Sequence, residues 1–372
     1  MPIYKTGKSK DGKAQYRVFV SYKDVDGKYR KISKIVYGSA EAKMEELTLL
    51  NQLGETSSPS AITVRMLYEE CRDSKKKEIR QSTLEKTESI LKNNVFPYIG
   101  DERLDKLTTK RLQKWKNDVS EKDIKTSTKN NAYRELNTLL NYATKMGYLK
   151  QNPLKNIDRF RDPYFTHKKE ALHYYTPEQF RKYIAVAEQN KDNSVTDSGI
   201  YVFFNIAYYT GMRKGEINAL KWSDIEGNVV HVRRSVSQKT KGGEQETPPK
   251  NESSYRSLQM PQKLVFVLEQ HRALQERIKG YSTDFRVCGG VSTLSDTNIE
   301  NKNTLFAKEA GLPHIRIHDF RHSHASLLAN EGINIQEIAR RLGHSNVQQT
   351  WNTYSHLYPR EEERALAVLD KV

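Results

Sequence analysis

Apolar residues recur with a helical period along most of this chain, and regular alternation is confined to short stretches. The first is Tyr16-Arg17-Val18-Phe19-Val20-Ser21-Tyr22. It alternates in part and is rich in β-branched and aromatic residues, as a half-buried strand is. Asp26-Gly27 is a hairpin turn signal. Tyr29 to Tyr37 supplies a second strand, and Ser39-Ala40-Glu41-Ala42 opens a helix with Ser39 as its N-cap. Gly54-Glu55-Thr56-Ser57-Ser58-Pro59-Ser60 is polar and turn-forming, so it reads as a linker. From Thr63 to about Leu154 the pattern is helical, broken near Pro97 and Gly100 and ending at Gly147 and Pro153.

Arg159 to Lys169 is charged and aperiodic, a second linker. It runs into Thr176-Pro177-Glu178-Gln179, where Thr176 is an N-cap, Pro177 suits the first helical position and Gln179 completes a capping box. The remainder to Val372 reads as one larger, mainly helical domain with a short β region near Val229 to Met260. The expected fold is therefore mainly α with small β elements, in three domains: a β-sheet plus helix over 1–54, a helical domain over 61–157, and a mixed, mainly-α domain over 170–372. A chain of 372 residues suits such a division, and no repeat of 20–50 residues is visible.

Charge narrows the picture. The formal net charge is +16. Such an excess favours a polyanionic partner, because each Lys or Arg laid on a phosphate releases a condensed counterion; a solubilising surface is the plainer reading. The segment to Lys34 carries ten Lys/Arg against three Asp. A basic sheet of this kind fits a DNA groove as well as it fits a solvated edge. The two cysteines, Cys71 and Cys288, are far apart and form no CxxC pair, so neither zinc nor an oxidising compartment is called for. No apolar run follows the basic N-terminus, and none reaches the roughly 20 residues needed to span a bilayer. A soluble cytoplasmic protein is expected.

Three segments carry candidate chemistry. In Tyr208-Tyr209-Thr210-Gly211-Met212-Arg213-Lys214-Gly215-Glu216-Ile217 an apolar helix stops at Gly211 and another begins, which presents Arg213 at a tight junction. An Arg so placed can clamp a phosphate with two parallel N–H donors, or simply cap and ion-pair. In Ile317-His318-Asp319-Phe320-Arg321-His322-Ser323-His324, His318 and Arg321 share a helical face, setting a proton carrier beside a fixed charge. The spacing of His322 and His324 is poor for a metal site. Arg340-Arg341-Leu342-Gly343-His344-Ser345-Asn346 precedes Tyr354 by ten residues from His344. Ile333 to Thr350 by itself resembles a helix-turn-helix, with Ile335, Ile338, Ala339 and Leu342 packing and Gly343 turning. A plain DNA reader does not explain why Arg, His-x-x-Arg, His and Tyr follow in this order in one domain.

Together, TGMRKGE, HDFRH, LGHSN and TYSHLYP resemble the four active-site signatures of the tyrosine recombinase family, in the form found in integrases of phages and conjugative elements from Gram-positive bacteria. The resemblance implies an arm-type DNA-binding domain at the N-terminus, a helical core-binding domain and a catalytic domain. It implies Tyr354 as nucleophile and Arg213, His318, Arg321 and His344 as the phosphate-binding set, with Glu216 supporting the Arg213 turn. It also implies a catalytic Lys in a β-hairpin after the first Arg. Pro249-Lys250-Asn251-Glu252-Ser253-Ser254-Tyr255-Arg256 resembles the Lys-x-x-Ser-Ser-x-Arg pattern of this subgroup, which selects Lys250; Asn251-Glu252 departs from the commoner Thr-Lys, so Lys239 and Lys241 stay open.

The implied reaction is DNA strand cleavage and rejoining through a 3′-phosphotyrosine, integrating or excising a mobile element. Its implied partners are double-stranded DNA attachment sites, a homotetramer on DNA, an excisionase and DNA-bending proteins. The covalent bond stores the energy of the broken one, so no nucleotide cofactor and no metal are expected; a GxxxxGK[ST] sequence is absent. The chemistry is coherent. A phenol is a weak nucleophile at neutral pH until its proton is removed. Guanidinium groups around a pentacoordinate phosphorane favour that state over the ground state. A type IB topoisomerase and a DNA-binding regulator with a decayed site are the alternatives. Beyond Tyr354, Glu361 to Leu369 reads as a short helix with an apolar stripe at Ala365, Leu366, Val368 and Leu369, which must dock to be stable.

Overall fold

Two compact units, Met1–His167 and Lys168–Val372, make up the chain. The computed structural model describes residues 3–10, 12–23, 29–52, 62–162, 172–240, 243–249 and 252–358, with Leu366, Leu369 and Asp370. The first unit opens with β1 (Ile3–Lys10), β2 (Lys13–Lys23) and β3 (Tyr29–Tyr37), an antiparallel sheet in the order β1-β2-β3, followed by α1 (Ser39–Gln52). The alternation of β2 puts Val18 and Val20 under α1, where they meet Ala42 and Leu49. Tyr4 and Phe19 stack on the sheet with centroids 5.5 Å apart, and Lys31 lies 5.4 Å from the Phe19 ring. β1 carries Lys5, Lys8 and Lys10 and too few apolar residues to be told from sequence; pairing with β2, from Ile3↔Val18 to Lys10↔Lys13, makes it a strand. The expected cap of α1 needs correction. Ser39 is already helical, and the Ala42 N–H donates to the Gly38 carbonyl at 3.1 Å, so Gly38 is the cap. The expected Asp26-Gly27 turn lies outside the described residues.

The helical part of this unit comprises α2 (Val64–Lys75), α3 (Gln81–Asn94), α4 (Phe96–Ile99), α5 (Thr109–Ser120) and α6 (Thr126–Lys145). Thr63 and Thr108 cap α2 and α5 through their hydroxyls, worth about 1 kcal/mol each. Pro97 stands in the first turn of α4, which is where the helical pattern breaks. Leu67, Leu91, Trp115, Leu136 and Leu140 form the core, and the Trp115 indole donates to the Asn94 carbonyl at 2.9 Å. The packing continues to Phe160, whose backbone is held from both sides by the Asn130 amide at 3.0 and 3.1 Å.

The second unit begins at α7 (Pro177–Asn190), entered through the Thr176–Gln179 capping box. There follow α8 (Val195–Thr210), α9 (Lys214–Ala219), β4 (Ile225–Glu226), β5 (Val229–Val232), β6 (Ser235–Thr240), β7 (Gly243–Thr247), β8 (Arg256–Gln259), α10 (Gln262–Gln275), α11 (Asp296–Glu309), α12 (Asp319–Asn330), α13 (Ile335–Leu342) and α14 (Val347–Tyr354). Strands β4, β5 and β8 form one antiparallel sheet in that order, and β6 pairs with β7 as a hairpin. α8 is apolar all round and is the central helix, packed by α7, α10 and α12. Burying Phe203, Phe204 and Ile206 contributes about 1.5–3 kcal/mol each. The hairpin is tied down by Gln238, which donates to Thr293 Oγ1 at 2.7 Å and accepts from the Asp296 N–H at 2.9 Å. Among the described residues, no helix is long and apolar enough to cross a membrane.

Candidate active site

α8 ends on Gly211, whose φ of 66° is the left-handed conformation that closes a helix without penalty only for glycine. A Cβ there would also come within 2.7 Å of His324. The turn points the chain straight into α9, with Arg213 as its N-cap residue. Glu216, 3% exposed, accepts from the Arg213 backbone N–H at 3.0 Å and from Arg213 Nη1 at 2.8 Å. Its other contact is unforeseen: Arg256 Nη2 donates to it at 2.8 Å. Arg256 is the Arg of the Ser-Ser-x-Arg stretch, and it also donates to the carbonyls of Arg341 at 2.7 Å and Ser254 at 3.1 Å. Burial alone would raise the Glu216 carboxyl, but Arg256 and then Arg213 outweigh it and hold the group below the ordinary carboxylate value. Glu216 thus fixes two guanidinium groups with one charge.

Arg321 lies in the first turn of α12 and is 3% exposed. Its Nη1 donates to the Gly211 carbonyl at 2.8 Å. Its Nη2 is buried and has no hydrogen-bond partner among the described residues. Burial lowers its pKa, and Arg213 and Arg256 lower it further. His318 stands at the N-cap of α12; burial and next His322 push it down to about 4. His344 follows Gly343, the left-handed C-cap of α13, whose carbonyl accepts from Arg213 Nη2 at 3.3 Å. The His344 ring bonds Thr350 Oγ1 through Nδ1 at 2.8 Å. Burial, then Arg321, Arg213, Arg256 and His318, push His344 down to about 4. Both rings are therefore neutral at pH 7. A Thr350 hydroxyl donating to Nδ1 leaves the His344 proton on Nε2, as a donor edge.

Tyr354 is the last residue of α14 and is 2% exposed, packed with Ala325, Ala329, Ile338 and Leu342. Burial raises its phenol to about 12, against the pull of Arg321. Its hydroxyl lies 2.7 Å from Nδ1 of His322. Sequence alone assigns His322 nothing beyond poor metal spacing, yet it stands four residues after His318 on one helix, and the two rings lie 5.3 Å apart. His324 turns away, its Nδ1 2.8 Å from the Tyr208 carbonyl oxygen. α13 and α14 are two helices either side of a turn at Gly343, but that turn carries His344 and the second helix ends in Tyr354. The structure thus draws Arg213, Arg321, His318 and His344 into mutual electrostatic reach, with Tyr354 close enough to Arg321 to feel its charge. Lys250 and Lys241 lie outside the described residues, as does the Lys239 side chain. Among the described residues, no group of three or more His, Cys, Asp or Glu could hold a metal ion.

Residues 173–361 match the phage integrase family, and residues 63–120 match the phage integrase N-terminal SAM-like domain. The chain is 30% identical over 288 residues to the ICEBs1 integrase of Bacillus subtilis, covering 76% of this chain and 75% of that protein. In fold it is similar to the Tn1549 transposon integrase solved with a circular intermediate DNA, at a TM-score of 0.66 and 21% identity, over 82% of this chain and 99% of that one. It is also similar in fold to the lambda integrase tetramer bound to a Holliday junction, at a TM-score of 0.55 and 17% identity, over 94% of this chain and 96% of that one.

Proposed function

The chain belongs to the phage integrase family and is a tyrosine-type site-specific DNA recombinase, and from that premise we propose that Tyr354 is its nucleophile. Arg213, Arg321, His318 and His344 hold the scissile phosphate, and Lys250 is the general acid. The Tyr354 hydroxyl gives up its proton to a base as its oxygen bonds to phosphorus, the bond to the 5′-oxygen breaks, and Lys250 gives that oxygen its proton. The DNA is left as a 3′-phosphotyrosine. Attack by a 5′-hydroxyl from the partner strand reverses the step and releases the tyrosine, so no nucleotide is consumed.

The observation that carries this reading is Arg321. A guanidinium buried to this degree, with one Nη lacking a partner among the described residues, costs several kcal/mol in the absence of an anion. A phosphate oxygen satisfies it, and the gain is larger as charge builds on phosphorus; losing one such donor typically costs about 10²–10³ in rate. The wider reading has the enzyme acting in a bacterial cytoplasm on attachment sites of a mobile element. It works there as a homotetramer on two duplexes, with an excisionase and DNA-bending proteins as accessory partners, and the lambda integrase tetramer on a Holliday junction supports that stoichiometry by likeness of fold. The test is a nicked suicide substrate. The wild type should trap as a covalent adduct mapping to Tyr354, while Tyr354→Phe binds the site and traps nothing. Trapping by the Phe variant would hand the role to Tyr358 or another tyrosine. Exchange between two marked duplexes, as opposed to relaxation of a supercoiled plasmid alone, separates a recombinase from a topoisomerase.

A further inference from the structure

We propose that His322 is the general base for Tyr354, taking the phenol proton on strand cleavage, holding it through the covalent intermediate and returning it on rejoining. The inference rests on Tyr354 being the nucleophile.

Its basis is geometric. Tyr354 is buried, and its hydroxyl meets His322 Nδ1 at 2.7 Å. This is within the distance at which a base takes a proton directly. Asp319, the acid close enough to act on the phenol, does not compete for its proton, because Arg316 holds it through both oxygens, at 3.0 and 2.8 Å. The groups facing His322 are the Tyr354 phenol on α14 and, on or beside α12, His318, Asp319, Arg321 and Arg316. Burial lowers the His322 pKa; Asp319 opposes this, and Arg316 and Arg321 add to it. The ring is accordingly neutral at neutral pH, with Nδ1 able to accept. A phenol raised to about 12 ionises negligibly by itself, so an acceptor is required. The proton balance closes within the site. The Tyr354 O–H proton moves to Nδ1 as the oxygen–phosphorus bond forms, and the leaving 5′-oxygen takes its proton from the general acid. In rejoining, the 5′-hydroxyl returns its proton to the general acid as its oxygen bonds to phosphorus, the phosphorus–oxygen bond to Tyr354 breaks, and the imidazolium returns its proton to the phenolate.

The experiment uses the full chain in single-turnover cleavage of the suicide substrate across pH. His322→Asn keeps a hydrogen-bonding group near the Nδ1 position but cannot carry a proton. The wild-type rate should rise with pH and level off once His322 is neutral. His322→Asn should bind the core site normally and cleave about 10²–10⁴-fold more slowly at neutral pH. Its rate should climb about tenfold per pH unit into alkali, as the phenol ionises to solvent. Difluorotyrosine at position 354, whose phenol is more acidic, should rescue His322→Asn far more than it changes the wild type. A wild-type pH profile in His322→Asn, or no selective rescue, overturns the proposal. A second measurement needs no His322 variant. In Tyr354→Phe, nuclear magnetic resonance should find the His322 pKa raised, because the donated hydrogen bond that favoured its neutral form is gone; an unmoved titration means the hydrogen bond is not made and overturns the proposal as well. Adducts in Tyr354→Phe would instead sink the nucleophile assignment itself.

Discussion

Glu216→Gln removes one charge and almost no volume from beneath the candidate site. The carboxylate accepts from Arg213 Nη1 at 2.8 Å, from the Arg213 backbone N–H at 3.0 Å and from Arg256 Nη2 at 2.8 Å. An amide keeps one oxygen and turns its NH2 toward a guanidinium, so Arg256 is left buried without a counter-charge. Breaking a buried ion pair on one side costs about 3–5 kcal/mol. For a unit of this size each kcal/mol lowers Tm by about 2–4 °C, so the loss is about 6–20 °C. Scanning calorimetry should register it in one transition and leave the other in place, because the substitution lies wholly in the second unit. The pH dependence has a definite sign. Glu216 is held below the ordinary carboxylate value, so its contribution is complete above the unfolded pKa of about 4.3 and is lost as pH falls through the folded value. The gap between wild type and variant should therefore be full at pH 7 and close only in acid, as pH falls through the lowered folded value.

A double replacement separates stability from catalysis. Glu216→Leu with Arg256→Met exchanges the pair for apolar groups and should recover most of the lost stability, since such swaps are often neutral or better. It leaves Arg213 without its carboxylate clamp, and a misplacement of about 1 Å costs on the order of 10²-fold in rate. Cleavage should stay low in a protein that melts like the wild type. A Glu216→Gln variant within about 1 kcal/mol of the wild type at pH 7, or a deficit that persists unchanged in acid, would refute the assignment of Glu216 as an ionised clamp.

Lys250→Ala should slow cleavage of normal DNA and be rescued by a substrate with sulfur in place of the leaving 5′-oxygen; rescue of Lys241→Ala and not of Lys250→Ala moves the general acid to Lys241. Deleting residues 1–54 should leave core-site cleavage intact and make the salt dependence of binding to an extended site shallower, by about 0.9 for each phosphate that is no longer neutralised; an unchanged slope means that the basic sheet binds no DNA. Leu366 and Leu369 are exposed within one chain. Ending the chain after Arg360 should therefore leave single-site binding intact and weaken assembly in analytical ultracentrifugation with full attachment sites; assembly at the wild-type level means the tail does not link subunits.

Arg213, His318, Arg321, His344 and Tyr354 were legible because each stands at or beside an element end marked by local residues. Gly211 stops α8 before Arg213, and Gly343 stops α13 before His344. What stayed illegible depends on residues far apart or on rotation about a helix axis. Glu216 and Arg256 are 40 positions apart, and no period links a short helix to a strand of another layer. His322 was within reach, since a four-residue step from His318 keeps one face. The neighbouring His324 made the run look like a cluster, although its ring bonds the Tyr208 carbonyl while His322 meets Tyr354. β1 failed for a third reason: its lysines hide a strand that exists only by pairing.

The charge balance across the site explains why the missed pair matters. Arg213 and Arg256 share Glu216, and among the described residues Arg321 is bonded to the Gly211 carbonyl alone. Among the described residues, three guanidinium charges less one carboxylate leave a surplus of two, to which Lys250 adds only until it gives its proton to the leaving 5′-oxygen. Asp319 does not reduce it, because Arg316 neutralises that carboxylate in turn. A phosphodiester brings one negative charge and a pentacoordinate phosphorane about two, so the surplus is better matched by the transition state than by the bound substrate. Without Glu216 the same guanidinium groups would repel one another and drift; with a second carboxylate in place the surplus would suit the ground state. A single buried acid between two arginines holds the donors in position and leaves their charge unmatched until phosphorus expands its shell.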